Sequence, residues 1–146
     1  MKIRVLLLKN NKSNKNFQIF YRFRFDKDYL KYNINKSKFS KKESNAWYNK
    51  NYKRRELFAI YSGDKLAGLI IYNLDNFFYS ITLIKSLRNK GIGKVALKIF
   101  IKYLKKRKKK LKTIINRDNH KSINLHKSIC KYKKKFNNNF YYFKLL

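Results

Sequence analysis

At 146 residues the chain is long enough for one domain, residues 1–146, with a substantial apolar core. No apolar stretch approaches the roughly 20 residues of a membrane span. The single cysteine, Cys130, excludes an internal disulfide, and two histidines without a cysteine cluster argue against a structural zinc site. A cytoplasmic protein with no metal and no membrane is therefore expected. The net charge of +32 rests on 31 lysines against eight arginines, beside 18 asparagines and no proline. That bias follows residues with A/T-rich codons, so genome base composition explains it without a ligand. Non-specific nucleic-acid adhesion follows from the charge either way, and a selected nucleic-acid surface stands as the second choice.

In chain order, residues 2–8 read as a first strand rather than a signal peptide, followed by a polar loop over 10–16. Apolar residues at Phe17, Ile19, Phe20 and Phe23 predict a helix over 17–28. Ser40-Lys41-Lys42-Glu43 is a capping-box pattern, which predicts a helix to about residue 49 with Trp47 on its buried face. Residues 56–61 and 66–73 are β-rich runs around Ser62-Gly63-Asp64-Lys65, a hairpin signal. Gly68 within the second run predicts a bulge or a close backbone approach. A third strand is expected over 77–84, a helix over 92–106 and a strand over 111–115. A last helix begins at Asn119 or Ser122 and carries Ile123, Leu125, Ile129 and Tyr132. Residues 136–140 read as a turn between two short aromatic strands. The order βααβββαβαββ predicts a mixed α/β sheet flanked by helices.

Two of the chain's four glycines lie one residue apart in Arg88-Asn89-Lys90-Gly91-Ile92-Gly93, between an apolar strand and an amphipathic helix. A strand, a glycine turn and a helix start together form an anion cradle. Amides of the first helical turn lack intrahelical acceptors, and the helix dipole adds positive charge. Gly91 and Gly93 remove the Cβ atoms that would hold a phosphate away, while Arg88 and Lys90 raise the local potential. An ordinary strand-to-helix turn is the competing reading.

The same six residues satisfy the signature Arg/Gln-x-x-Gly-x-Gly/Ala, and the element order resembles that of the GNAT acetyltransferase superfamily from about Glu56 onward. Residues 115–125 look like the family's fifth strand followed by Asn-x-x-Ser and a helix. The resemblance implies the GNAT acyl-CoA N-acyltransferase fold and acetyl-CoA as co-substrate. It places the pyrophosphate on the amides of Asn89, Lys90, Gly91, Ile92, Gly93 and Lys94 beside Arg88. The pantetheine arm would add to the strand edge at Leu83 and Ile84, and Asn119 would contact it or its water. Ser122 caps the last helix or touches the ligand. His126 occupies the place of a tyrosine that protonates the departing sulfur in relatives, with Tyr132 as a rival acid; an exposed helix-surface histidine is the other reading. Cys130-Lys131 replaces the family's Gly-Phe, and Cys130 reads as a small buried hydrophobe rather than a nucleophile. No carboxylate falls in the fourth strand, so a water chain or a backbone carbonyl is expected to take the amine proton.

The N-terminal third resembles a narrower branch that acetylates nucleotide-linked amino sugars, as in pseudaminic acid synthesis. Phe23-Arg24-Phe25-Asp26, Asn33-Ile34-Asn35 and Ser40 to Tyr48 carry that resemblance, and they imply Arg24, Asn35 and Trp47 as acceptor-binding residues. Phe23, Phe25 and Ser44 stand where the branch has tryptophan, asparagine and histidine. The expected function is acetyl transfer from acetyl-CoA to a primary amine, an amino sugar carried on a nucleotide being favoured. Acetylation of a protein N-terminus of ribosomal type, and a non-enzymatic RNA- or ribosome-associated module, are the alternatives.

Overall fold

The computed structural model describes residues 2–8, 14–24, 31–32, 40–130 and 132–146. Strand β1 (Ile3–Leu7) is followed by helices α1 (Asn14–Arg24) and α2 (Lys41–Asn51), then strands β2 (Arg55–Ser62), β3 (Lys65–Asn73) and β4 (Tyr79–Leu83). Helix α3 (Ile92–Lys106), strand β5 (Lys112–Asn116), helix α4 (His120–Lys127) and strands β6 (Tyr132–Lys135) and β7 (Phe140–Lys144) complete the chain. The order is the one read from the sequence.

Local chemistry explains most of the boundaries. The capping box forms as expected: Glu43 donates its amide to Ser40 Oγ at 3.1 Å, and Glu43 Oε1 accepts the Ser40 amide at 3.3 Å. Trp47 is a correction. Helix α2 buries Ser44 and Tyr48, whereas Trp47 is 41% exposed and lies flat on Phe20, ring centroids 5.4 Å apart and planes 9° apart. Helix α1 starts at Asn14, inside the expected polar loop, and puts Phe17, Phe20 and Phe23 on one buried stripe. The β2–β3 hairpin turns through Gly63 at φ 61°, a left-handed conformation that glycine adopts without strain. Both expectations for Gly68 are met. The register slips between Ile60 and Tyr61, and a Cβ on Gly68 would meet the Thr82 carbonyl oxygen at 2.4 Å. Helix α4 ends at Lys127, so Tyr132 opens strand β6 instead of extending the helix, and β6 is lysine-rich rather than aromatic.

Strands β1 to β4 form one antiparallel sheet in sequence order, and β5, β7 and β6 form a second in the order β5-β7-β6. Side chains alternate across the first sheet. Phe58, Ile60, Ile70, Tyr72 and Tyr79 pack against Ala96, Leu97 and Phe100 of α3 and Ile123 of α4. On the other face Leu57 and Leu69 pack against Phe17, Phe20, Phe23 and Tyr48 of α1 and α2. The sheet is thus covered on both sides. No helix among the described residues is long and apolar enough to cross a membrane.

Among the described residues the backbones of the two sheets meet only at the start of β4 and β5, which run parallel. Phe78 bridges Lys112, the Lys112 amide donates to the Phe77 carbonyl at 3.1 Å, and Thr113 Oγ1 donates to the Tyr79 carbonyl at 2.9 Å. Beyond this point no ladder joins the strands, and they part.

Candidate active site

The gap between β4 and β5 opens into a cleft of about 1000 Å³. One wall is β4 from Tyr79 to Leu83, the opposite wall is β5 from Thr113 to Asn116, and the start of α3 closes one end. At that end the first helical hydrogen bond runs from the Val95 amide to the Gly91 carbonyl, 3.2 Å. The amides of Ile92, Gly93 and Lys94 therefore have no acceptor within the helix. Gly91 takes φ 78° as the cap, and a Cβ there would meet nothing within 4 Å, so the approach to these amides is open. Asn89 also adopts a positive φ of 62°, a conformation asparagine tolerates better than most residues. Arg88, Asn89, Gly91, Ile92, Gly93 and Lys94 all line the cleft; Lys90 is exposed and lies outside the lining.

The strand edge refines the expectation for Leu83 and Ile84. The Ile84 amide donates to the Ala67 carbonyl at 2.8 Å, and Ile84 packs with the α1–α2 core, so it is not available to a ligand in the cleft. Leu83 lines the cleft, but its carbonyl accepts from Arg88 Nε at 2.9 Å. Arg88 thus ties the glycine loop to the end of β4. Tyr79 and Leu83 present their carbonyls away from β3, so Ile81, two residues from each, turns its N–H and C=O the same way by the alternation of an antiparallel strand. Ile81 is the edge residue that sequence reasoning missed, because nothing in a strand's composition says which of its edges stays unpaired.

On the far wall the cap expected of Ser122 is made instead by Asn119, the residue expected to meet the ligand. Asn119 Oδ1 accepts the Ser122 amide at 3.3 Å, which makes Asn119 the N-cap of α4, and both residues line the cleft. His126 is not a surface residue: it is 1% exposed. Its Nδ1–H donates to the Ser122 carbonyl at 2.7 Å, an atom that can only accept. Its Nε2 is paired with the hydroxyl of Tyr79. Burial pushes the His126 imidazole down to about 4, with the bond to Ser122 opposing, so the ring is neutral near pH 7. In that state Nε2 accepts and Tyr79 O–H donates. His126 thus enters the site as an acceptor, and the proton expected on it at this wall belongs to Tyr79. Burial raises the Tyr79 hydroxyl well above its ordinary value, so the pair is uncharged.

A second, smaller cavity of about 230 Å³ lies on the α1–α2 face of the sheet. Arg24 and Trp47, both expected to bind the acceptor, line it together with Arg55, which sequence reasoning did not select. It shares Phe78 and, in β4, Tyr79 and Ser80 with the large cleft, so the two volumes meet across one strand. Asn35 lies outside the described residues. So does the side chain of Tyr132, whose backbone pairs opposite Lys144. Among the described residues no group of three or more His, Cys, Asp or Glu side chains could hold a metal ion.

A model of the acetyltransferase (GNAT) family matches residues 19–132. The chain belongs to that family. Membership makes it an acyltransferase. Compared with curated proteins, the chain has no sequence match. Solved structures of similar fold include a domain from Methanocaldococcus jannaschii DSM 2661, at 21% identity over 98% of this chain and 97% of that one, with a TM-score of 0.80. Spermidine N-acetyltransferase from Vibrio cholerae, solved with CoA and spermine, is 14% identical over 98% and 95% of the two chains, TM-score 0.74. The N-acetyltransferase PseH of Campylobacter jejuni, solved with acetyl coenzyme A, is 16% identical over 99% and 98%, TM-score 0.69. At such identities the likeness is one of fold.

Proposed function

We propose that the protein transfers the acetyl group of acetyl-CoA to a primary amine, with a nucleotide-linked amino sugar as the acceptor. The observation that carries this reading is the cleft between β4 and β5, which has hydrogen-bonding groups at both places a pantetheine diphosphate needs them. The residues present fit that co-substrate. Three amides at the start of α3, with the helix dipole behind them and no side chain at Gly91 or Gly93, suit a pyrophosphate. The unpaired backbone edge at Ile81 suits an extended amide-bearing arm that adds to β4 as a further strand would.

Acetyl-CoA supplies an activated acyl carbon. The protein's part is positioning and electrostatics. The Ile81 amide is a fixed donor in the cleft wall, able to stabilise negative charge on an acyl oxygen. The Tyr79–His126 pair holds one proton at the inner wall without placing a charge there. The acceptor enters from the smaller cavity, beside Ser80, on the opposite side of the same strand. The preference for an amino sugar on a nucleotide is supported by the resemblance of the N-terminal third to that branch. Among the described residues no carboxylate lines the smaller cavity, which disfavours a polycationic acceptor of the spermidine kind.

The test is a thermal shift. Millimolar acetyl-CoA is expected to raise the melting temperature of the wild type, and Gly91→Glu to abolish the rise by placing a carboxylate over the amides. The melting temperature of Gly91→Glu alone reports whether the variant still folds. An unchanged wild-type melting temperature in acetyl-CoA would overturn the proposal.

A further inference from the structure

Tyr79 and His126 both line the large cleft, and they are joined there as a pair. Three contacts fix Tyr79: its backbone is in register with Tyr72 of β3, its carbonyl accepts from Thr113 Oγ1 at 2.9 Å, and its hydroxyl meets His126 Nε2. Phe100 and Phe143 flank the two rings, and among the described residues no Asp, Glu, Lys or Arg side chain bonds to either. The tautomer sets the direction of the bond between them. His126 Nδ1 must carry its proton, because the Ser122 carbonyl 2.7 Å away can only accept. Nε2 is then a bare lone pair, and it takes the single proton that a phenol has. The Tyr79 oxygen is left with lone pairs alone for a second partner. At rest the pair can accept a proton from the cleft and has none to give.

Resting on the acetyltransferase reading above, we propose that Tyr79 is the general base of the reaction, with His126 passing the proton onward behind it. No carboxylate stands in β4 to do this. The amine nitrogen bonds to the acyl carbon, and the carbonyl electrons move onto the acyl oxygen. The nitrogen's proton passes to the Tyr79 oxygen as the Tyr79 hydroxyl proton passes to His126 Nε2. The imidazolium so formed lies in the last turn of α4, where the helix dipole favours a cation, with Nδ1–H on the Ser122 carbonyl. Negative charge on the acyl oxygen in the same cleft offsets the cost of a buried cation, so the imidazolium lasts only while the reaction is under way. When the carbonyl re-forms, the C–S bond breaks and its electron pair leaves on sulfur. Nε2 then returns its proton to the Tyr79 oxygen, which gives the proton taken from the amine to the thiolate. An amide and a free thiol result, and the pair is restored. The locked tautomer orders these steps: Tyr79 acts as acid only after it has acted as base.

The chain has two histidines, His120 and His126, so isotope-labelled histidine gives two ring systems in a nitrogen NMR spectrum, and His126→Gln assigns them. His126 is expected to carry its proton on Nδ1, and Tyr79→Phe to shift its Nε2 resonance alone. A proton on Nε2 in the wild type would overturn the proposal, because Tyr79 would then accept that bond and turn its own proton outward as an acid. Acetyl transfer from acetyl-CoA is measured with UDP-glucosamine and, as a smaller amine, glucosamine. Tyr79→Phe should lower kcat about 100-fold, with the KM for acetyl-CoA and the acetyl-CoA thermal shift unchanged. Tyr103→Phe, which removes a hydroxyl outside the cleft lining, should keep the wild-type kcat. His126→Gln keeps an acceptor for Tyr79 but cannot hold a proton, so its kcat should fall about as far, whereas a merely structural histidine would be rescued by glutamine. The melting temperature of each variant reports its folding. Wild-type kcat in Tyr79→Phe or in His126→Gln would overturn the relay. So would no turnover of either amine by protein that binds acetyl-CoA. No acetyl-CoA shift in the wild type strikes the acetyltransferase reading, and the relay with it, whatever the tautomer.

Discussion

His126 offers a test of the buried pair through stability alone, without any ligand. The ring is 1% exposed, and burial holds its basicity near 4 against an ordinary value of 6.5. The folded state therefore binds fewer protons at this site than the unfolded chain between those two values. The sign follows: stability contributed by neutral His126 is full above pH 6.5 and declines as pH falls through the window to about 4. At about 1.4 kcal/mol per pH unit the full loss is on the order of 3 kcal/mol. His126→Gln keeps a donor for the Ser122 carbonyl and an acceptor for Tyr79 but does not titrate. Urea unfolding of both proteins at pH 7.5, 6, 5 and 4.5 is the assay. The carboxylates and His120 are common to both chains, so their titrations largely cancel in the difference. The stability of wild type minus that of His126→Gln should fall by about 2–3 kcal/mol from pH 7.5 to 4.5. A difference that stays flat across the series, or moves the other way, would refute a buried neutral imidazole and with it the assignment of the proton to Tyr79.

Two further expectations concern the frame around the cleft. Gly68→Ala drives a methyl against the Thr82 carbonyl oxygen at 2.4 Å and the Leu83 side chain at 2.7 Å, which β3 and β4 can relieve only by parting. It should cost about 2 kcal/mol or more by urea unfolding, whereas Gly93→Ala, whose Cβ meets nothing closer than 3.5 Å, should be neutral or slightly stabilising. Equal effects of the two substitutions would contradict the close approach. Ser40→Ala removes the acceptor of the Glu43 amide at the start of α2 and should cost about 1 kcal/mol, with no change in the acetyl-CoA thermal shift, because the cap lies away from the cleft.

Much of the local structure was legible because it is written in short-range chemistry. Ser40 and Glu43 cap a helix whatever surrounds them, Gly63 turns a hairpin, and the apolar stripe from Ile92 to Leu104 fixes α3 to the residue. Arg88 to Gly93 needs no tertiary partner to be an anion cradle, since a helix start and two missing Cβ atoms suffice. The errors share a different cause. Trp47 and Tyr48 are adjacent aromatics on α2, and which of them is buried depends on where α1 lies. Ile84 and Ile81 look alike in sequence, and only the pairing of β3 with β4 decides which amide is already taken.

Sequence by itself determined the element order, the glycine loop and the family to which they belong, because each is read from short motifs and from their order along the chain. The tertiary structure decided the rest. The parting of β4 from β5 makes the cleft, and packing α4 against the sheet buries His126 and brings Tyr79, 47 residues away, onto its Nε2. Folding α1 and α2 over the other face puts Arg24 and Trp47 beside Arg55. These are long-range juxtapositions, set by which faces bury and which edges stay unpaired, and no local pattern in the chain encodes them.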